Sequence, residues 1–176
     1  MIIDNAIFNL ISVTLKNNVF DFIMPVLSDA KFWRVPFIII IIASITFGKK
    51  KGLETVLVCL VAIGITDFIC GGVLQPLIGR HRPLGGTTLS FPSCHAANLF
   101  AAAFVIYRSL QKIWVTVTVY TIASLVAYSR IYTTSHYPSD VLGGMILGSI
   151  FACLVIYLYK LISYNIKERK QKAAGL

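Results

Sequence analysis

The chain has 176 residues, of which 57% are hydrophobic and 13% charged. Soluble domains carry about 25% charged residues. The deficit, with a mean hydropathy of +0.79, excludes an ordinary water-solvated globule and implies a single domain solvated largely by lipid. Sixteen Lys and Arg stand against seven Asp and Glu, an excess that in a soluble protein would suggest nucleic acid. Here ten of those cations fall in three short clusters between apolar stretches, a pattern of membrane topology and not of a nucleic-acid groove.

The N-terminus carries Asp4 in place of a basic region, and no small-residue cleavage site follows a short apolar core, so no cleavable signal peptide is expected. Asp4, Asn9, Ser12 and Lys16 form a polar stripe beside Ile3, Phe8, Ile11 and Leu15. This helical spacing predicts that residues 1–30 form an amphipathic helix, lying in the membrane interface or packed obliquely on the bundle, with a sixth span as the alternative. Five apolar segments follow, at about 32–47, 53–77, 93–107, 113–129 and 141–159, each near the length a bilayer requires. The expected fold is therefore all-α: a polytopic membrane helix bundle with a transmembrane core over 32–162 and a basic tail over 163–176.

Lys49, Lys50 and Lys51 separate the first two segments, Arg108 and Lys112 separate the third and fourth, and Lys160, Lys167, Arg169, Lys170 and Lys172 follow the fifth. Alternating turns put all ten on one side, which the positive-inside rule makes cytoplasmic together with the C-terminus. The loops at 78–92 and 130–138 then face outward. Cys59, Cys70, Cys94 and Cys153 have no paired spacing, so no disulfide framework is expected. Asp67 lies inside the second segment, where an acid is a functional candidate by default. Its spacing from Gly71 and Gln75 along one face reads instead as an internal hydrogen-bond partner, with a supporting role at the site as the alternative. Gly71-Gly72 and Gly143-Gly144 suit close helix packing.

Three polar clusters occupy the predicted outer ends: Arg80-His81-Arg82-Pro83, Phe91-Pro92-Ser93-Cys94-His95, and Ser129-Arg130 followed by His136-Tyr137-Pro138-Ser139-Asp140. Arginines offer a planar, permanently charged fork suited to phosphate, and a helix starting near Ser93 adds free N–H groups. Two histidines can supply a nucleophile and a proton donor. Asp140, four residues after His136, is close enough in sequence to bond one ring nitrogen and fix its tautomer.

These clusters resemble the type-2 phosphatidic acid phosphatase superfamily, the lipid phosphate phosphatases. The family pattern is a lysine, six residues and Arg-Pro; then Pro-Ser-Gly-His; then Ser-Arg, five residues, His, three residues, Asp. The last part is complete from Ser129 through His136 to Asp140, the middle reads Pro92-Ser93-Cys94-His95 with cysteine for glycine, and the first ends at Arg82-Pro83 but starts with Gln75. The resemblance implies that His136 forms a phosphohistidine, that Asp140 orients it and that His95 protonates the leaving oxygen. It also implies that Arg82, Arg130, Ser93 and the backbone at Cys94 hold the phosphate, and that no metal or other cofactor is needed. Gln75 leaves either one cation fewer or a vacancy for Arg80 to fill. His81 falls outside the pattern and reads as a surface or packing residue.

The expected activity is hydrolysis of a lipid phosphomonoester or pyrophosphate (lipid A 1-phosphate, undecaprenyl diphosphate or phosphatidylglycerol phosphate class) at the outer, periplasmic face of a bacterial cytoplasmic membrane. The expected partners are the bilayer and the lipid substrate, with no nucleic acid and no obligatory protein. A lipid-headgroup phosphotransferase is the first alternative, disfavoured by the short loops. An anion transporter is the second, disfavoured by the lack of an internal repeat. A thiol phosphatase centred on Cys94 would want an arginine where Phe100 stands. A zinc site at His95, His136 and Asp140 would face repulsion from Arg82 and Arg130.

Overall fold

A computed structural model describes residues 2–85 and 88–173. The helices in chain order are α1 (Ile2–Asn9), continued by a π-helical turn Leu10–Thr14, α2 (Asn18–Ser28), α3 (Ala30–Asp67), a second π-helical stretch Phe68–Leu74, α4 (Gln75–Ile78), α5 (Cys94–Leu110), α6 (Ile113–Tyr132) and α7 (Pro138–Ala173). Helix thus covers each of the five apolar segments. Two stretches, Ala30–Ile78 and Pro138–Ala173, are long and apolar enough by themselves to cross a membrane. The side chains of Ile38, Ile39, Ile40 and Ile42 remain exposed, as a lipid-facing surface demands.

Ala30–Asp67 is two arms, broken where Lys49 leaves helical geometry at φ 48°. That break carries the first basic cluster. Lys51, Arg108 and Lys160, one from each cationic cluster, line a common groove, so the three clusters gather at one end of the bundle. The basic tail is not a loose segment over its first part: α7 continues through it to Ala173, with Lys172 paired to Glu168 one turn earlier.

Ile2–Thr14 and Asn18–Ser28 form two helices bent by 116°, where the polar stripe predicted one. Asn17 is the reason. It sits in extended geometry, and its side chain accepts the Phe20 N–H to start α2 afresh. Phe8 and Ile11 pack against a core of Ala96, Phe100, Ala123, Ala127, Ile131 and Val141. Phe20 meets the rings of Tyr128 and Tyr132 on α6.

Helices α5 and α7 cross closely. Gly144, Gly148 and Ala152 recur every fourth residue on α7 and are all buried, which makes a smooth stripe. A methyl at Gly148 would lie 2.0 Å from the Ala97 carbonyl oxygen, and one at Gly144 2.5 Å from that of Ser93. Gly143 receives the Phe91 ring. A second cluster, Val58, Ala62, Ala101, Val105, Ala152 and Val155, ties the second arm of α3 to the same pair.

Gly148→Ala should therefore force the two helices apart and cost about 2 kcal/mol, read as a fall in the detergent thermal midpoint. Gly64→Ala is the control. Nothing lies within 4 Å of a methyl there, and its midpoint should stay level or rise, since alanine favours helix over glycine.

Candidate active site

Three elements converge at the end of the bundle opposite the basic groove. The first is the loop that leaves α4. Gly79 ends that helix in left-handed geometry, its N–H on the Gln75 carbonyl, and launches Arg80 and Arg82. The chain then folds back on itself: His81 pairs with Leu89, and the Ser90 N–H reaches the Arg80 carbonyl at 2.7 Å. The second is the start of α5 at Ser93 to His95. The third is the turn between α6 and α7. The Ser93 N–H donates to the Asp140 carbonyl at 3.0 Å, joining the second to the third.

His136 is buried, and its Nδ1 lies 2.8 Å from the Ser90 carbonyl oxygen. A carbonyl only accepts, so Nδ1 carries the proton and Nε2 keeps its lone pair. Asp140, the expected orienting partner, stands 3.8 Å from the same nitrogen, beyond hydrogen-bond range. It acts on the ring as a nearby charge, while the direct bond belongs to a backbone group that no side-chain motif reveals. Burial lowers the His136 pKa below the usual 6.5; Asp140 and the Ser90 carbonyl oppose that, and the charges of Arg130 and Arg82 add to it.

Asp140 is fully buried, and each of its two oxygens accepts a hydrogen bond. Arg80 Nη1 donates to Oδ1 at 2.7 Å, and the Tyr137 N–H donates to Oδ2 at 2.8 Å. The latter is the reach-back of an acidic third residue to the cap position of α7, behind Pro138 at the first position. Arg80 also donates to Asp4 and to the Ser139 hydroxyl, and its guanidinium sits 4.2 Å over the Tyr137 ring. Arg80 is thus committed to holding Asp140, and the charge absent at Gln75 is not made up by it.

Asp4 accepts from the Ser139 N–H at 2.9 Å and its hydroxyl at 2.7 Å, so α1 caps α7 from across the sequence. Burial raises the Asp4 pKa, but hydrogen bonds from Arg80 and Ser139 outweigh it and the net direction is down. Neither contact has a sequence signal, because the partners lie 76 and 135 residues away.

Arg82, Ser93 and Arg130 close the cluster. Arg82 Nε, Ser93 Oγ and Arg130 Nε are buried and bond to nothing within the protein. Buried donors are normally satisfied; three on neighbouring residues, two of them cationic, are what an oxyanion site requires. Ser93 stands at the cap of α5 without capping it, which leaves its hydroxyl and the first N–H groups, including that of Cys94, available. Arg130 is aimed by α2, through Nη1 bonds to the Ser28 hydroxyl at 2.6 Å and carbonyl at 3.0 Å. Gln75 Nε2 donates to the Pro92 carbonyl at 3.0 Å and approaches Cys94 Sγ at 3.4 Å, so it straps the loop that precedes α5. His95 is half-buried beside them, while His81 is exposed. Among the described residues, no group of three His, Cys, Asp or Glu is arranged to hold a metal ion.

Arg80→Ala should leave Asp140 as an unpaired buried charge and cost about 3 kcal/mol, measured by thermal or denaturant unfolding. Asp4→Ala removes a cap and one of Arg80's partners and should cost roughly 1–2 kcal/mol. The double variant should lose less than the sum, since the two act on one network.

The chain has relatives among known proteins. The chain is 30% identical over 141 residues to a lipid A 4'-phosphatase of Bacteroides thetaiotaomicron, covering 71% of this chain but 61% of that protein. It is 32% identical to phosphatidylglycerophosphatase B of Bacillus subtilis, over 81% of this chain and 74% of that one. The fold superposes on the crystal structure of a transmembrane PAP2 type phosphatidylglycerolphosphate phosphatase from Bacillus subtilis with a TM-score of 0.70 and 29% identity, over 91% of this chain and 86% of that chain. The PAP2 superfamily model matches residues 55–164, a span holding all three polar clusters, and the chain belongs to that superfamily as a multi-pass helical membrane protein.

Proposed function

We propose that the protein is a lipid phosphate phosphatase that works through a phosphohistidine at His136, on the outer face of the membrane. The observation that carries this reading is the Ser90 carbonyl on His136 Nδ1, which leaves Nε2 as a neutral nucleophile beside the unpartnered donors of Arg82, Ser93 and Arg130. Nε2 attacks phosphorus, and the bond from phosphorus to the lipid oxygen breaks. That oxygen takes a proton from His95. The nonbridging oxygens rest on Arg82, Arg130, the Ser93 hydroxyl and the Cys94 N–H as charge develops. Water then gives a proton to His95 and attacks phosphorus. The P–N bond breaks, and phosphate leaves with both histidines restored. As His136 becomes cationic, the Asp140 carboxylate 3.8 Å away stabilises it.

The substrate class is that of the relatives: phosphorylated membrane lipids. The gathering of the basic clusters at the far end of the bundle supports a topology with five core spans, an outward site and a cytoplasmic C-terminus.

Purified protein in detergent should release phosphate from a panel of phospholipids, lipid A and isoprenyl diphosphates. His136→Ala should reduce this on the order of 10³-fold or more and abolish an acid-labile, alkali-stable phosphoenzyme in rapid quench. Full turnover in that variant would sink the mechanism. The pH profile supplies an independent check. The nucleophile must be neutral, and its folded pKa lies below 6.5, so the rising acid limb of kcat/KM, which reports the free enzyme, should have its midpoint below pH 6.5. A midpoint above that value would mean another group controls the limb.

A further inference from the structure

Asp67 is the last residue of α3 and lies within the helical stretch Ala30–Ile78 that is long enough to cross the membrane. Its carboxylate Oδ1 accepts from Asn98 Nδ2 at 2.7 Å. Among the described residues it has no cationic partner within salt-bridge distance; the ion pairs of the molecule lie elsewhere. Asp67 is nevertheless exposed, and Asn98 is half-buried. Asn98 Oδ1 is buried and makes no hydrogen bond. The pair therefore presents one open acceptor, the Asp67 carboxylate, with no counter-charge, and encloses a second, Asn98 Oδ1, behind it. An ionisable side chain at this depth is costly, and a carboxylate has room for several more donors than the one it receives. Packing does not explain it, since a wholly internal pair would be closed from the surface.

Its position along the bundle suggests what it serves. Asn98 follows His95 by three residues on the same helix, so both lie on one face, about 4.5 Å apart along the axis. His95 is the residue placed at the leaving oxygen. Whatever is esterified to the phosphate must pass from His95 down α5 toward the hydrocarbon, and the Asp67–Asn98 pair stands next on that path.

We propose that Asp67 and Asn98 form a headgroup subsite. It accepts hydrogen bonds from hydroxyl or amide N–H groups next to the phosphate ester, and so selects lipids with a polyol or sugar headgroup over those whose phosphate joins diacylglycerol or, in an isoprenyl diphosphate, a second phosphate. This deepens the phosphatase reading and rests on it. A site built to accept hydrogen bonds discriminates strongly against ligands that lack the donor, because its polar groups are then left unpaired. Donor-free lipids offer only ester oxygens or, in an isoprenyl diphosphate, the second phosphate here, and both would face the carboxylate as acceptor against acceptor.

Phosphatidylglycerol phosphate and phosphatidic acid with the same acyl chains make the decisive pair, because the former carries a hydroxyl beside its terminal phosphate and the latter carries none. Farnesyl diphosphate and a 1-phosphorylated lipid A extend the comparison. Wild type should prefer the donor-bearing lipids by tenfold or more in kcat/KM. Asp67→Ala and Asn98→Ala should each reduce the ratio of kcat/KM between phosphatidylglycerol phosphate and phosphatidic acid by tenfold or more. The isosteric Asp67→Asn, which keeps an acceptor oxygen, should fall between them and wild type. An unchanged ratio in folded variants, with all substrates slowed alike, would overturn the subsite and leave Asp67 a structural or His95-positioning residue. Wild type that releases phosphate from no lipid in the panel would instead overturn the phosphatase reading beneath it.

Discussion

The close crossing of α5 and α7 is the constraint on which the site depends. Helices whose axes approach this nearly can do so only where side chains are absent, and Gly144 and Gly148 supply that absence against the Ser93 and Ala97 carbonyls. The consequence is chemical as well as structural. The crossing lies at the first turn of α5 and about two to three turns into α7, so the start of α5 is held against α7 close to the α6–α7 turn. The Ser93 N–H then reaches the Asp140 carbonyl, and the loop bearing Ser90 is carried over His136. A wider crossing would separate the donors of the α5 start from the nucleophile by the same increment. Reactions that rely on positioned groups lose rate steeply with such displacements.

Around that crossing the charges fall into two layers. The inner layer is Asp4, Arg80 and Asp140, which neutralise one another to a net single negative charge. Its work is to fix the first turn of α7 and the environment of His136. The outer layer is Arg82 and Arg130, which have no acidic partner among the described ion pairs. Both layers are anchored by the N-terminal bent pair: α1 delivers Asp4 to the inner layer, and α2 delivers Ser28 to Arg130. A region that reads from sequence as a membrane-surface accessory therefore buttresses the site from both sides. Its apolar exposure, with Ile2, Ile3 and Phe22 turned outward, suits a position against lipid.

Much of this was legible in the sequence, and the reason is covalent. Arg82, Ser93, His95, Arg130, His136 and Asp140 sit in short motifs, so proximity within each motif is guaranteed by the chain, and the apolar segments between them set which ends meet. The apolar lengths also located the helices and, with the lysine cluster, the break at Lys49, though not the continuation of α7 to Ala173. What escaped reading falls into two kinds. Ser90 contributes a carbonyl, and any residue type would offer the same atom, so composition is silent about it. Asp4 with Ser139, Ser28 with Arg130, and Asn98 with Asp67 are pairings across distant segments, fixed by packing that no local periodicity encodes. Asn17 belongs to neither kind. An asparagine followed by a fresh helical run is a recognisable start signal, and it was masked by the continuity of the polar stripe on its N-terminal side.

The glutamine at position 75 shows how such a site can lose a cation and stay coherent. Gln75 points at the Pro92 carbonyl and the Cys94 sulfur, both in the segment where the sequence carries cysteine in place of glycine. The two departures from the family pattern are thus in contact, which argues for one coupled change and not two independent losses. The Cys94 side chain occupies space toward Gly71, where a methyl would sit 3.5 Å from its sulfur. A neutral amide fits beside that thiol and braces the loop carbonyl. On the proposed reading, phosphate is then met by Arg82 and Arg130, by the Ser93 hydroxyl and by the free N–H groups at the start of α5. Two guanidiniums match a phosphomonoester dianion in charge, and backbone N–H groups at a helix start add attraction without a further ionised side chain to desolvate. On that reading geometry offsets the absent lysine: the cradle would depend more heavily on holding its loop in place, and Gln75 bonds that loop.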